Sequence, residues 1–135
     1  MAHSIAVVSG DGIGREVVPQ ALDVLRTVGG FTIEELPWSA DYYLKTGVTI
    51  PSGGYDTLRS FDAIFIGALG DPRVPDNRHA RDILLGTRFE LDLYVNYRPV
   101  RLLDDRLCPL KNRTRRDVDF AVFRENTEEI GRAHV

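Results

Sequence analysis

Three arginines, Arg88, Arg98 and Arg124, are the residues of this chain best suited to grip an anion. A guanidinium is planar, permanently charged and forked, so it holds a carboxylate through two parallel hydrogen bonds. Three forks turned toward one point would suit a di- or tricarboxylate. Taken singly, each is equally an ordinary surface or ion-paired arginine. Leu84 and Leu85 precede Arg88 and read either as core or as the apolar wall of such a pocket. A second feature is the run Gly10-Asp11-Gly12-Ile13-Gly14. Glycines between a strand and a helix let backbone N–H groups approach an anion at the helix N-terminus, or simply let the chain turn tightly. The spacing is not the G-x-G-x-x-G dinucleotide fingerprint, so both readings stay open. The single cysteine, Cys108, cannot form an internal disulfide and reads as an inert small residue. With three histidines there is no Cys/His cluster at metal-ligand spacing.

These residues sit in 135 residues of ordinary globular composition, 43% hydrophobic with a net charge of −3, which excludes disorder and collagen-like repeats. Residues 73–116 hold eleven Lys/Arg against six Asp/Glu, a local excess of +5, and the rest of the chain is −8. The middle therefore favours an anionic partner. The acidic balance of the whole is against nucleic acid, although a basic RNA-binding surface is the reading that this stretch alone would suggest. The longest apolar run, Ala63 to Leu69, is about a third of the roughly 20 residues a membrane helix needs, and no leader pattern follows Met1, so neither a membrane partner nor a targeting signal is expected. A cytoplasmic setting is the expectation.

The elements that must position the arginines follow from periodicity. Ile5 to Val8 is a short apolar run rich in β-branched residues and predicts a buried strand entering the glycine turn. Val17, Val18, Ala21, Leu22, Leu25 and Val28 fall on one helical face, stopped by Gly29-Gly30. Pro19 implies that this helix begins near Glu16 or bends. A strand from Phe31 toward Trp38, a helix capped by Ser39, a loop at residues 51–54, a weak helix over 55–61 and a strand from Ala63 to Ile66 come next. This alternation predicts a parallel sheet in an α/β domain. From Asp71 a Pro/Arg-rich loop of about a dozen residues suggests a functional segment. A helix over 80–87, a strand over 89–95 read from strict alternation, a charged connector over 101–116 and a last strand over 118–123 complete the reading.

Four segments then carry a joint resemblance. Gly10-Asp11-Gly12-Ile13-Gly14, Gly67-Ala68-Leu69-Gly70-Asp71-Pro72, Asp92-Leu93-Tyr94-Val95-Asn96-Tyr97-Arg98-Pro99 and Phe123-Arg124-Glu125-Asn126-Thr127-Glu128 occur in the order and rough spacing of the β-decarboxylating dehydrogenases. That family holds the isopropylmalate, isocitrate, homoisocitrate and tartrate/D-malate enzymes, and the chain resembles it over residues 4–128. The resemblance implies the N-terminal part of a two-domain isopropylmalate dehydrogenase-like α/β fold, a parallel-rich sheet with flanking helices, left incomplete. Residues 1–99 would be the first segment of the larger, cofactor-side domain and 100–128 the start of the second, dimerisation domain.

By the same resemblance the substrate-carboxylate arginines are Arg88, Arg98 and Arg124, the leucines that touch the substrate's alkyl group are Leu84 and Leu85, and the cofactor wall includes Ile13, Leu69 and Asn96. The implied activity is oxidative decarboxylation of a 2-hydroxy dicarboxylic acid with hydride transfer to NAD, assisted by Mg2+ or Mn2+, in a homodimer. The catalytic lysine and tyrosine and the metal-binding aspartates are expected beyond residue 128. A leucine pair offers no partner for an extra carboxylate, whose burial there would be costly, so 3-isopropylmalate, in leucine biosynthesis, is the first expectation. Tartrate/D-malate comes next, then isocitrate or homoisocitrate. Arg81 stands where isopropylmalate enzymes of this kind usually have glutamate. A non-catalytic carboxylate-binding subunit is the reading from a different class.

After Glu128 the chain departs from the family pattern. Glu129-Ile130-Gly131-Arg132-Ala133-His134-Val135 resembles one reading frame of a common sequencing adapter, so residues 129–135 are expected to be an artefactual tail in which His134 is no ligand. An isolated 135-residue chain is expected to be inactive and, with an unfinished sheet, to aggregate or order only in part.

Overall fold

The computed structural model describes residues 2–127. The tail after Thr127, with Glu128 and His134, lies outside the described residues. The chain forms two compact units, one ending at Leu91 and one beginning at Asp92.

The first unit is built on β1 (His3–Val8), α1 (Gly14–Val28), β2 (Phe31–Glu35), α2 (Ala40–Thr46), α3 (Gly54–Arg59) and β3 (Ala63–Ile66). The strands form a parallel sheet in the order β2-β1-β3, registered from His3 opposite Phe31 and from Ile5 opposite Ala63. As the middle strand, β1 is covered on both faces, which is why Ile5 to Val8 is a continuous apolar run and not an alternating one. On one face Ile5 and Val7 meet Val18 and Leu22 of α1, with Phe31, Ile33 and Phe65 beside them. On the other, Ala6 and Val8 meet Trp38, Leu58 and Ile83, with Ile64 and Ile66 beside them.

Helix α1 starts at Gly14, two residues before the expected Glu16, and runs through Pro19. Proline has no N–H to offer the preceding turn, so one intrahelical bond is missing there. Of the six residues expected on its inner face, Val18 and Leu22 are buried, while Val17 and Val28 are exposed. The cap of α2 is as expected, with the Ser39 hydroxyl accepting from Tyr42 N–H at 3.2 Å.

Beyond β3 the expected dozen-residue loop is shorter. A 3-10 turn over Pro75–Asn77 leads into a continuous helical stretch made of α4 (Arg78–Arg81), a π-helical turn over Asp82–Gly86 and α5 (Thr87–Glu90). The strand expected over 89–95 is therefore not formed. Leu91 packs on the core of the first unit and its N–H bonds the Thr87 carbonyl. Asp92, at φ 52°, turns the chain out of the helix, and tertiary packing overrides the local alternation.

The second unit is an antiparallel ribbon of β4 (Val95–Arg101) and β5 (Asp119–Glu125), registered from Val95 opposite Glu125 to Arg101 opposite Asp119. The division between the two compact units falls after Leu91. Pro99 lies inside the strand, opposite Ala121. The bonds Leu102 N–H to Val118 C=O and Asn126 N–H to Tyr94 C=O put the even-numbered β4 residues in the hydrogen-bonded pairs. Pro99 thus occupies a position where no N–H is asked of it. Tyr97 and Phe123, in a non-hydrogen-bonded pair, bring their rings to 5.2 Å.

Candidate functional site

In the order β2-β1-β3 the chain moves outward from β1 to β2 and then returns across β1 to lay down β3. The loops after β1 and β3 thus leave the carboxyl ends of neighbouring strands at a topological switch point, the place where open α/β sheets take ligands. Here the two loops meet backbone to backbone, Asp11 N–H donating to the Ala68 carbonyl at 2.7 Å. Gly10 has φ +76°, and a Cβ on it would lie 2.1 Å from the Ala68 oxygen. On Gly14 it would lie 2.2 Å from the Ser9 oxygen. The amides of Gly14, Arg15 and Glu16 donate to the carbonyls of Asp11, Gly12 and Ile13. Of the two readings of the glycine run, this geometry is that of the tight turn.

Asp11 is the centre of the junction. Its Oδ1 accepts from Ala40 N–H at 2.7 Å, and its Oδ2 accepts from Gly70 N–H at 3.0 Å and lies 2.7 Å from His79 Nε2. Both side chains are buried, and His79 lies nearly parallel to the Tyr43 ring at 6.5 Å. Sequence reasoning passed over this pair, because Asp11 was read with the glycines and His79 had no neighbours of metal-ligand type. One signal was present: His79, Ile83 and Thr87 recur every four residues and all three are buried.

At the rim, a chain of charges closes over the same loops. Arg15 reaches Asp41 at 2.7 Å, and Arg73 reaches both Asp41 and Asp71 at 2.7 Å. The Arg73 guanidinium holds the Asp71 carboxyl at a pKa of about 2. Hydrogen bonds from Arg15 and then Arg73 hold Asp41 below the ordinary carboxyl value. A cleft of about 480 Å³ opens beside this rim, between Arg15 and Pro19 on one side and Glu35 to Ser39 on the other.

The π-helical turn carries Leu84 and Leu85, both half-buried, and Arg88, also half-buried, follows on α5 and not on a strand. Tyr55 braces this turn: its hydroxyl donates to the Asp82 carbonyl at 3.0 Å, and a Cβ on Gly86 would lie 2.1 Å from that hydroxyl. Burial, with the charges of Asp82 and Glu90, pushes the Tyr55 pKa up. Thr49 adds a bond to the Asp82 carboxylate at 2.9 Å. Such an expanded turn re-aims the side chains that follow it.

Ile13 caps α1 and is exposed, while Leu69 packs on the core with its side chain beside Gly10. In the second unit Asn96 is opposite Arg124 and Arg98 is two residues on, so the period of two places Asn96, Arg98 and Arg124 on one ribbon face. Arg98 Nε donates to Asn96 Oδ1 at 3.2 Å, and Asn96 Nδ2 donates to Asn126 Oδ1 at 3.3 Å. Arg98 and Arg124 are thus brought together in the second unit, and Leu84, Leu85 and Arg88 in the first. Cys108 lines a separate apolar cavity of about 270 Å³ with Val100, Leu110 and Phe120. Among the described residues no three His, Cys, Asp or Glu side chains are grouped to hold a metal ion, and no helix is long and apolar enough to cross a membrane.

Comparison with known proteins is consistent with this architecture. Residues 4–134 match the family model described as isocitrate/isopropylmalate dehydrogenase. A probable tartrate dehydrogenase/decarboxylase of Bacillus subtilis and a decarboxylating D-malate dehydrogenase of Escherichia coli are each 44% identical over 131 residues, covering 92% of this chain and 36% of theirs. A tartrate dehydrogenase/decarboxylase of Pseudomonas putida is 45% identical over 136 residues, 94% of this chain and 37% of its own. Among solved structures, an apo β-decarboxylating dehydrogenase from Thermococcus kodakarensis matches with a TM-score of 0.70 at 30% identity, over 93% of this chain and 34% of that one. An isocitrate dehydrogenase from Methylococcus capsulatus matches with a TM-score of 0.72 at 28% identity, over 93% and 35%. The chain thus spans little more than a third of the length of these relatives.

Proposed function

Because the chain belongs to the isocitrate/isopropylmalate dehydrogenase family, we propose that it is the N-terminal part of an NAD-dependent β-decarboxylating dehydrogenase whose substrate is a small 2-hydroxy diacid of the tartrate/D-malate type. The observation that carries the diacid is the shared ribbon face of Arg98 and Arg124 around Asn96. Two fixed forks on one face are suited to a carboxylate and stabilise the negative charge that gathers on it. Arg88 supplies the third fork, and Leu84 and Leu85 the apolar wall beside it. Ile13, Leu69 and Asn96 form the cofactor wall.

In the complete enzyme NAD would supply the hydride acceptor, and Mg2+ or Mn2+ the Lewis acid that assists loss of CO2. The part of this chain is to bind and orient the diacid and to exclude water. By the family resemblance the aspartates that would hold the cation are assigned to residues beyond 128. Residues 1–99 and 100–128 are assigned to the two domains of the complete protein, a cytoplasmic homodimer.

The substrate ranking differs from the sequence expectation, which put 3-isopropylmalate first. The relatives at 44–45% identity carry tartrate and D-malate names, and a leucine pair weighs against a further carboxylate without selecting 3-isopropylmalate over a four-carbon diacid. Leucine biosynthesis therefore gives way as the assigned setting. The test is NADH production by the complete protein on D-malate, tartrate, 3-isopropylmalate and isocitrate. Preference for D-malate or tartrate is expected, with loss of about 2–4 kcal/mol of transition-state stabilisation on Arg98→Ala. Preference for 3-isopropylmalate would overturn the ranking, and no turnover of any of the four would overturn the function.

A further inference from the structure

We propose that Asp11 and His79 form a positioning lock, a buried pair that fixes the helical stretch 78–90 against the two glycine loops. A carboxylate and an imidazole are costly to bury unless they are paired and hydrogen-bonded. Here the Asp11 carboxylate takes three donors: Ala40 N–H, Gly70 N–H and His79 Nε2. They come from three different segments, at sequence separations of 29, 59 and 68 residues. An apolar pair would fill the same space but would not define a direction. Three donors converging on one carboxylate admit a single mutual arrangement of the segments that carry them.

With Asp11 as a carboxylate, the tautomer that completes the contact carries its proton on His79 Nε2, and among the described residues His79 Nδ1 is buried without a hydrogen-bond partner. His79 lies in the first turn of a continuous helical run whose later turns present Leu84, Leu85 and Arg88. Fixing its ring against Asp11 therefore sets the rotation of that run about its axis, while Tyr55 sets the expansion of the π turn. That the lock positions a substrate clamp rests on the proposed function. The lock itself does not.

The test is made by NMR on the complete protein without any diacid, so its failure is distinguishable from failure of the proposed activity. In the unsubstituted protein a long-range nitrogen–proton spectrum of His79 is expected to show Nε2 protonated, and an unprotonated Nε2 overturns the lock. In His79→Leu, exchange of the Gly70 and Ala40 amides is expected to speed up by about tenfold, with the Val7 and Val8 amides changed by less than about threefold. In His79→Gln, whose amide can again donate toward Asp11, protection is expected to return to within about threefold of the original. Unchanged protection in His79→Leu, equal acceleration of the β1 amides, or His79→Gln behaving like His79→Leu each overturns the lock. Should His79→Leu fail to fold, the spectrum of the unsubstituted protein decides.

Discussion

The two units of this chain solve the same problem to different depths. In the first, the middle strand of a parallel sheet is covered on both faces, and Trp38, Leu58, Ile83, Val18 and Leu22 are buried. In the second, a two-stranded ribbon leaves Tyr97, Phe120, Val122 and Phe123 exposed. A sheet needs a layer on each apolar face before its side chains leave water, and a lone ribbon has none to offer. The arginines singled out for carboxylates are divided between the units. Arg88 stands on a helix whose neighbour Ile83 is buried in the core, whereas Arg98 and Arg124 stand on a ribbon tied by its ladder, the Tyr97–Phe123 ring pair and side-chain bonds such as Asn96 to Asn126.

Core truncation gives the largest contrast. Ile83→Ala is expected to cost the first unit about 2–5 kcal/mol, read by urea unfolding followed through Trp38, the single tryptophan. A loss under about 1 kcal/mol would mean that the core is less tightly packed than its burial indicates. In the ribbon, Tyr97→Ala removes the ring pair with Phe123 and is expected to cost about 0.5–1.5 kcal/mol, read as faster exchange of the β4 amides. An effect as large as that of Ile83→Ala would erase the contrast.

The smallest effect is at the rim. Asp71 titrates at about 2 in the folded chain against an ordinary 3.8, held there by Arg73. Because the folded value is the lower one, the contribution is complete above the ordinary value and is lost as pH falls through about 2. The Arg73 guanidinium is exposed, so salt weakens the tie. A carboxyl-carbon titration of Asp71 is expected to give a midpoint near 2, rising in Arg73→Ala. A midpoint at the ordinary value in the unsubstituted protein would remove Arg73 as the cause.

Much of the first unit was legible because its signals are local. The β-branched run Ile5 to Val8, the glycine turn, the Ser39 cap and the apolar face of α1 each declare themselves within a few residues. The helical stretch 78–90 was only partly legible. Phe89, Leu91, Leu93 and Val95 alternate as a strand would, but Leu91 belongs to a core that the first seventy residues create, and no local pattern records that. Pro99 lay outside the strand expected over 89–95, and only the register of the ribbon shows that it sits within β4 where an N–H is not used. The arginines proposed for the substrate's carboxylates were singled out by residue type alone, while the Asp11–His79 pair, 68 residues apart, was invisible to any window short enough to read.

Those separations also carry a consequence in time. The partners of Asp11 emerge from synthesis in a fixed succession: first Ala40, then Gly70, then His79. Each later closure lengthens the loop, yet doubling a loop adds only about 0.6 kcal/mol of closure entropy. The first contact is therefore the expensive one, and the later two arrive at an acceptor already held in place. Asp11 therefore has its full set of donors only once the chain has been made as far as residue 79, and the segment bearing Leu84, Leu85 and Arg88 follows that last donor.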